Sequence, residues 1–330
     1  MSRELYPELV FDDTIVPSDF DDLDDVDDAC EGIYKACKGW GTDESGLINT
    51  LGSKTPEERV KIYYRYEELK GKNLARLIRS ELSGDFKLAM ELFSYPPDIA
   101  ECKMINMACK GVGTDESLLY PIILGRTNRE IEQLKKTFYK VYDKDLTSKI
   151  GGETSGKFEK LLFNALQGIE EEYDPEYHTE AKAEEDADAF YEAGQGRWGT
   201  DEGEMFKLLC ASPPEHLYTI NEIYVDKYGF TLWKGIQKEL SGTLEDATVY
   251  LWEFKMNPAE AAAKQIKKAC AGFGMNEEML SSCIVRYHKI LDAVAGAHEA
   301  LFDKTLHKRV ASETRGDYEK FLLQVIDSSS

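Results

Sequence analysis

A short glycine-rich cassette occurs four times in the chain, and each copy is followed at near-constant distance by a carboxylate. The copies are Lys38-Gly39-Trp40-Gly41-Thr42-Asp43-Glu44, Lys110-Gly111-Val112-Gly113-Thr114-Asp115-Glu116, Arg197-Trp198-Gly199-Thr200-Asp201-Glu202 and, more loosely, Ala271-Gly272-Phe273-Gly274-Met275-Asn276-Glu277. Glu81, Glu153 and Glu239 lie 42 residues beyond Gly39, Gly111 and Arg197, and Glu313 lies 41 beyond Gly272. Glycine takes positive φ at no steric cost, so such a loop can turn main-chain oxygens inward. In the first copy the carbonyls near Cys37, Gly39 and Gly41, closed by a bidentate Glu81, form a cage of oxygens. A hard cation such as calcium takes about six to eight oxygens, which leaves one or two positions for water or an external ligand.

One formal charge per loop implies weak intrinsic affinity, in the ~10⁻⁴–10⁻³ M range of low-charge sites. A lipid phosphate oxygen can complete the shell. Linkage then makes the membrane tighten the cation by the same factor that the cation tightens the membrane. The residue between the cassette glycines is apolar each time: Trp40, Val112, Trp198 and Phe273. At a loop tip these side chains point outward, where indole favours a bilayer interface. Lys38, Lys110 and Arg197 stand beside them and meet phosphates at roughly 1 kcal/mol each. The plainer reading is a helix–turn–helix joint whose aromatics pack inward, with glycine ending one helix and threonine capping the next. That reading leaves the fixed distance to an acid unexplained.

The elements that must position these loops are helical. Val26, Ala29, Ile33 and Ala36 form a stripe leading into the first cassette. Thr42 suits an N-cap, with Asp43 and Glu44 at the positive helix start. Thr55-Pro56-Glu57-Glu58 reads as a capping box, repeated at Thr127–Glu130 and Ser212–Glu215, and lost at Tyr287-His288-Lys289-Ile290. The last helix of each repeat carries Phe86, Ala89, Met90, Phe93; Phe158, Leu161, Leu162, Ala165; Leu244, Ala247, Leu251, Phe254; and Tyr318, Phe321, Leu322, Val325. That spacing belongs to core-facing helices, and no segment alternates as a strand does. The fold class is all-α, with about five short helices per repeat. The expected organisation is an acidic tail at 1–22, repeats at 23–95 and 96–169, a linker at 170–183 dividing the chain into two halves of two repeats, and repeats at 184–256 and 257–330.

The 330 residues carry a formal charge of −22, with 42% hydrophobic and 31% charged residues. Such a chain repels nucleic acid and bare anionic membranes unless something positive mediates. The first 17 residues show no apolar leader, and no run approaches the ~18 apolar residues of a spanning helix. A cytoplasmic protein is expected. The seven cysteines show no CxxC pattern and read as buried reduced thiols, with metal thiolates the weaker alternative.

These motifs together resemble the annexin family, from about Asp21 to Ile326. The cassette paired with Ser-Glu-Leu-Ser-Gly at 80–84 or Glu-Thr-Ser-Gly at 153–156 carries the resemblance, as does the long connector between repeats two and three. The resemblance implies right-handed helical repeats arranged as a slightly curved disc, with calcium sites in the named loops on its convex face. It implies calcium-dependent, peripheral and reversible binding to acidic phospholipids such as phosphatidylserine. It implies recruitment to the cytosolic face of membranes when calcium rises, and leaves room for self-association there. Protein partners stay open.

Carried over by position, the ligands are the carbonyls of Cys37, Gly39 and Gly41 with Glu81, and of Cys109, Gly111 and Gly113 with Glu153. Repeat three offers Gly194, Arg197 and Gly199 with Glu239, although Gln195 is the strict equivalent of Cys37. Repeat four offers Cys270, Gly272 and Gly274 with Glu313. Glu44, Glu116, Glu202 and Glu277 are positions for secondary ions. The fourth copy departs most: Ala271 replaces a basic residue, and Met275-Asn276 replaces Thr-Asp, which is expected to weaken the helix cap.

Enzyme readings are poorly supported. Gly151–Phe158 fits GxxxxGK but ends in Phe where a phosphate-binding loop needs Ser or Thr. The acids at 21–28 lack the glycine of an EF-hand loop. The five histidines show no ligand-pair spacing. The competing non-enzymatic reading is a calcium-independent scaffold whose loops bind protein.

Overall fold

In the computed structural model, residues 3–194, 202–271 and 274–329 are described. Among them the secondary structure is helical throughout, and each repeat contributes five α-helices. Repeat one has Leu23–Ala36, Glu44–Leu51, Pro56–Lys70, Leu74–Glu81 and Gly84–Phe93. Repeat two has Pro97–Ala108, Glu116–Ile123, Asn128–Tyr142, Leu146–Gly151 and Gly156–Leu166. Repeat three has Glu180–Ala193, Glu202–Ala211, Pro214–Tyr228, Leu232–Glu239 and Gly242–Met256. Repeat four has Pro258–Ala269, Glu277–Arg286, Leu291–Phe302, Leu306–Glu313 and Gly316–Ser328.

The stripes behave as their spacing requires. Val26, Ala29, Ile33 and Ala36 are buried on one face of the first helix, joined by Cys30. Phe86, Ala89, Met90 and Phe93 are buried in repeat one, and Tyr318, Phe321, Leu322 and Val325 in repeat four. Ala165 and Leu244 are only half-buried; Leu166, next to Ala165, and Ala247, one turn beyond Leu244, are buried instead. The capping boxes are honoured unevenly. At Thr55 both halves form: its hydroxyl accepts from Glu58 N and Glu58 accepts from Thr55 N. Thr127 accepts from Glu130 N. Ser212 is not a cap, because the helix starts one residue later behind Pro213, which has no side-chain acceptor. Repeat four replaces the box with a single 3₁₀ turn, His288–Ile290.

The chain forms two compact units. One comprises Ile105–Pro258 with the extreme N-terminus to Arg3, and so holds most of repeats two and three. Tyr120 and Tyr250 pack there with ring centroids 5.5 Å apart. Gly125 lies at φ +80 against Phe254, where an added Cβ would fall 2.6 Å from the ring, so only glycine fits. A buried polar node completes this unit. Lys255, 3% exposed, pairs with Glu170 at 2.7 Å and donates to the carbonyls of Leu209 and Ser212. Arg3 holds the same Glu170. The acidic connector is thereby docked, and Glu171 N donates to Ala211 O.

The other unit comprises Glu4–Met104 and Ala259–Ser330, and so holds repeats one and four. Phe93 meets Phe321 edge-on at 5.2 Å. The buried Arg59 guanidinium lies 4.0 Å over Phe93 and donates to its carbonyl at 2.6 Å. The N-terminal segment is part of this unit's core: Tyr6 and Val10 pack on Val60, and the Tyr6 hydroxyl donates to Glu101, which also pairs with Arg286.

Candidate functional site

Three cassettes are described well enough to compare, and their backbones close in the same way. Asp43 N donates to Ala36 O at 2.9 Å, Asp115 N to Ala108 O at 2.8 Å, and Asn276 N to Ala269 O at 2.9 Å. Each loop is thus tied shut across its base, from the end of the first helix to the start of the second. Within the ties Gly39 and Gly41 stand at φ +124 and +87, Gly111 and Gly113 at +112 and +88, and Gly274 at +109. An L side chain is strained at such angles, which accounts for the glycines. Nothing lies within 4 Å of where a Cβ would be at any of the five.

Trp40 is 107% exposed and Val112 110%, which excludes core packing for both. Lys38 and Lys110 beside them are exposed as well. Arg197, Trp198, Gly199, Gly272 and Phe273 lie outside the described residues, as does Gln195.

The remote acids come to these loops. Glu81 ends its helix, and Thr42 Oγ1 donates to its Oε2 at 3.0 Å. Thr114 Oγ1 donates to the main-chain oxygen of Glu153 at 2.8 Å. Gly194 is packed so closely on Glu239 that an added Cβ would sit 3.0 Å from its Cγ. Burial pushes the Cys37 and Cys270 thiols up to about 11, helped by the neighbouring charges of Glu81 and Glu313 respectively. Burial raises Cys109 to about 11 too, with Lys149 pulling the other way and Glu153 adding to the rise. These thiols stay protonated near neutrality in the metal-free protein.

Two expectations are corrected. Thr42 is not the helix cap. Asp43 is, accepting from Gly46 N, and Asp115 likewise accepts from Leu118 N. The threonine one residue earlier instead ties the loop to the acid's segment. Consequently the fourth cap is not weakened: Asn276 accepts from Met279 N at 2.8 Å. What Met275 removes is the hydroxyl tether. The four secondary acids each open their helix, at Glu44, Glu116, Glu202 and Glu277. Glu202 is already paired with Lys157.

Two arrangements were not read from the sequence. Lys149 Nζ, in the last turn of its helix, holds Glu153 Oε1 at 2.6 Å just beyond the helix end. The four-residue spacing was the available signal. His178 and His216, both buried, bring their rings to 4.7 Å although 38 residues apart. Each bonds its own carboxylate, Glu171 at 3.1 Å and Asp186 at 2.8 Å. No short-range pattern announces that meeting.

Main-chain oxygens with one carboxylate brought alongside, as at Glu81 and Glu153, are the kind of donor set that fits a hard divalent cation. Among the described residues no three His, Cys, Asp or Glu side chains converge as a transition-metal centre would require.

A family model described as Annexin matches residues 27–91, 100–165, 185–251 and 261–325. Human annexin A13 is 34% identical over 304 residues, covering 92% of this chain and 95% of its own. Human annexin A11 is 32% identical over 307 residues, covering 93% of this chain and 60% of its own. The solved structure of annexin III superposes with a TM-score of 0.86 at 32% identity, covering 93% of this chain and 95% of that chain. Chicken annexin V gives 0.82 at 31% identity, over 93% and 96%.

Proposed function

Because the chain belongs to the annexin family, we propose that it attaches peripherally and reversibly to acidic phospholipid surfaces when calcium rises. Calcium would be held by the carbonyls of Cys37, Gly39 and Gly41 with Glu81, and of Cys109, Gly111 and Gly113 with Glu153. Gly194, Arg197 and Gly199 with Glu239 would serve in repeat three, and Cys270, Gly272 and Gly274 with Glu313 in repeat four. Glu44, Glu116, Glu202 and Glu277 would hold weaker ions. The cation supplies positive charge between an anionic protein and an anionic lipid phosphate. The chain's own residues do the rest. The exposed Trp40 and Val112 would enter the headgroup layer, with Lys38 and Lys110 against phosphates; Arg197, Trp198 and Phe273 are assigned the same part. No catalytic role is assigned. Cytosolic-face recruitment and self-association on the bilayer belong to the same reading.

The observation that carries it is the acid brought to its loop segment in three repeats, seen at Thr42–Glu81 and Thr114–Glu153 and in the Glu239 packing on Gly194. The test is co-sedimentation with phosphatidylserine vesicles and with phosphatidylcholine vesicles across a calcium titration. Pelleting should require calcium, favour the acidic lipid and reverse on chelation. Pelleting that is indifferent to chelator would favour a calcium-independent scaffold instead.

A further inference from the structure

Glu81 and Glu153 occupy equivalent places, 42 residues after Gly39 and Gly111, but the structure holds them differently. Glu81 Oε2 accepts a hydrogen bond from the neutral Thr42 hydroxyl at 3.0 Å. The position four residues before it is Leu77, which has no charge. Glu153, just beyond the end of the helix Leu146–Gly151, instead faces a cation of that helix, with Lys149 Nζ at 2.6 Å from Oε1. Neither partner is far into solvent, with side chains 21% and 28% exposed. Glu153 is also fixed by its backbone, through its N–H to Ile150 O and its carbonyl from Thr114. The carboxylate therefore stays at the loop, and the ammonium sits on one of the two oxygens that bidentate ligation needs. In repeat three the corresponding position is Gly235; in repeat four it is Arg309, whose Nε is directed to His298 Nε2 at 3.4 Å.

We propose that Lys149 is a built-in competitor for the cation at the repeat-two loop, so that this loop loads at higher calcium than the repeat-one loop. The inference rests on the calcium reading above. An ammonium and a divalent ion claim the same oxygen. The tethered ammonium, once displaced, stays within a helical turn of the doubly charged ion and repels it. A pair still partly open to solvent is weak, and its removal is worth between about twofold and fivefold in affinity. The outcome is a graded response in which repeat one responds first and repeat two adds its loop only at stronger signals.

The test is calorimetric titration of the full chain with calcium chloride alone. Lys149→Met should tighten one binding step about two- to fivefold, and should change nothing in a Glu153→Gln background. Leu77→Lys should weaken a different step by a similar factor, and only while Glu81 is intact. If Glu153→Gln removes a step but Lys149→Met leaves that step unchanged or weaker, the competitor role is overturned and the calcium reading stands. If Glu153→Gln removes no step, both fall together.

Discussion

At the scale of the residue, the loop is a division of labour between neighbours. Thr42 ties the loop to Glu81, Asp43 caps the next helix, and the glycines carry the backbone angles. Glu81→Gln and Glu153→Gln should each raise the calcium needed for half-maximal vesicle binding by roughly tenfold, because each loop has one formal charge to lose. Vesicle sedimentation measures this directly; an unchanged midpoint in both would remove these acids from the ligand set. Trp40 is fully exposed. Its emission should shift blue when calcium and acidic vesicles are added together, and Trp40→Ala should abolish that part of the change. The glycines and the distant acids were legible because spacing alone marks them. The role of threonine was not. A hydroxyl beside a helix start can cap or can reach elsewhere, and the aspartate after it is an equally good cap. Only the closed loop, with Asp43 N on Ala36 O, decides between them.

At the scale of the element, caps and helix faces determine where the loops stand. Asp43, Asp115 and Asn276 satisfy the same orphan amide in three repeats. Asp115→Ala and Asn276→Ala should each lower stability by about 1 kcal/mol in urea unfolding. Because the fourth cap is sound, Met275→Thr should leave stability nearly unchanged and instead restore a tether toward Glu313. A measured gain in stability of the size of a cap would contradict that assignment. The helical stripes were legible from period alone, and the Thr55 box from its four residues. Ser212 was misread because two prolines follow it: Pro213 takes the cap position and Pro214 the first helical position. Cross-helix pairs were hidden for another reason. Lys70 lies 4.4 Å over Tyr34, Tyr191 stacks on Tyr228 at 3.8 Å, and Lys267 lies 4.4 Å over Phe302. Each joins the first and third helices of its repeat, yet the partners change identity and even sides. A search for repeated residue types passes over them, since it is the contact that persists.

At the scale of the whole molecule, a net charge of −22 means that bare acidic vesicles repel the chain, so the proposed binding has to be switched on. Repetition made the four modules legible, but the connector misled about which of them share a unit: it reads as dividing repeats one and two from three and four, whereas the chain folds repeats two and three together, and one with four, a pairing set by contacts far apart in sequence. The second unit has a buried point with a measurable consequence. Burial pushes His288 well below its ordinary value, and the Arg59 charge adds to this. Its ring lies 5.0 Å from Phe93, and its Nδ1 is among the buried atoms with no partner. The folded protein therefore keeps this imidazole neutral, while the unfolded chain protonates it below about 6.5. The unfolded state then binds more protons, so stability declines as pH falls through that value, with a slope approaching about 1.4 kcal/mol per pH unit from this group. His298, also depressed mainly by burial, acts in the same direction. The depressed carboxylates Asp27 and Asp186 act elsewhere: their contribution is complete above about 3.8 and is lost only at lower pH. Urea unfolding at pH 7.5 and pH 5.5 isolates the histidine window. Wild-type protein should lose stability across it and His288→Phe should lose less, because phenylalanine leaves no proton for the unfolded state to gain. Equal losses in the two proteins would mean that His288 takes up its proton without unfolding.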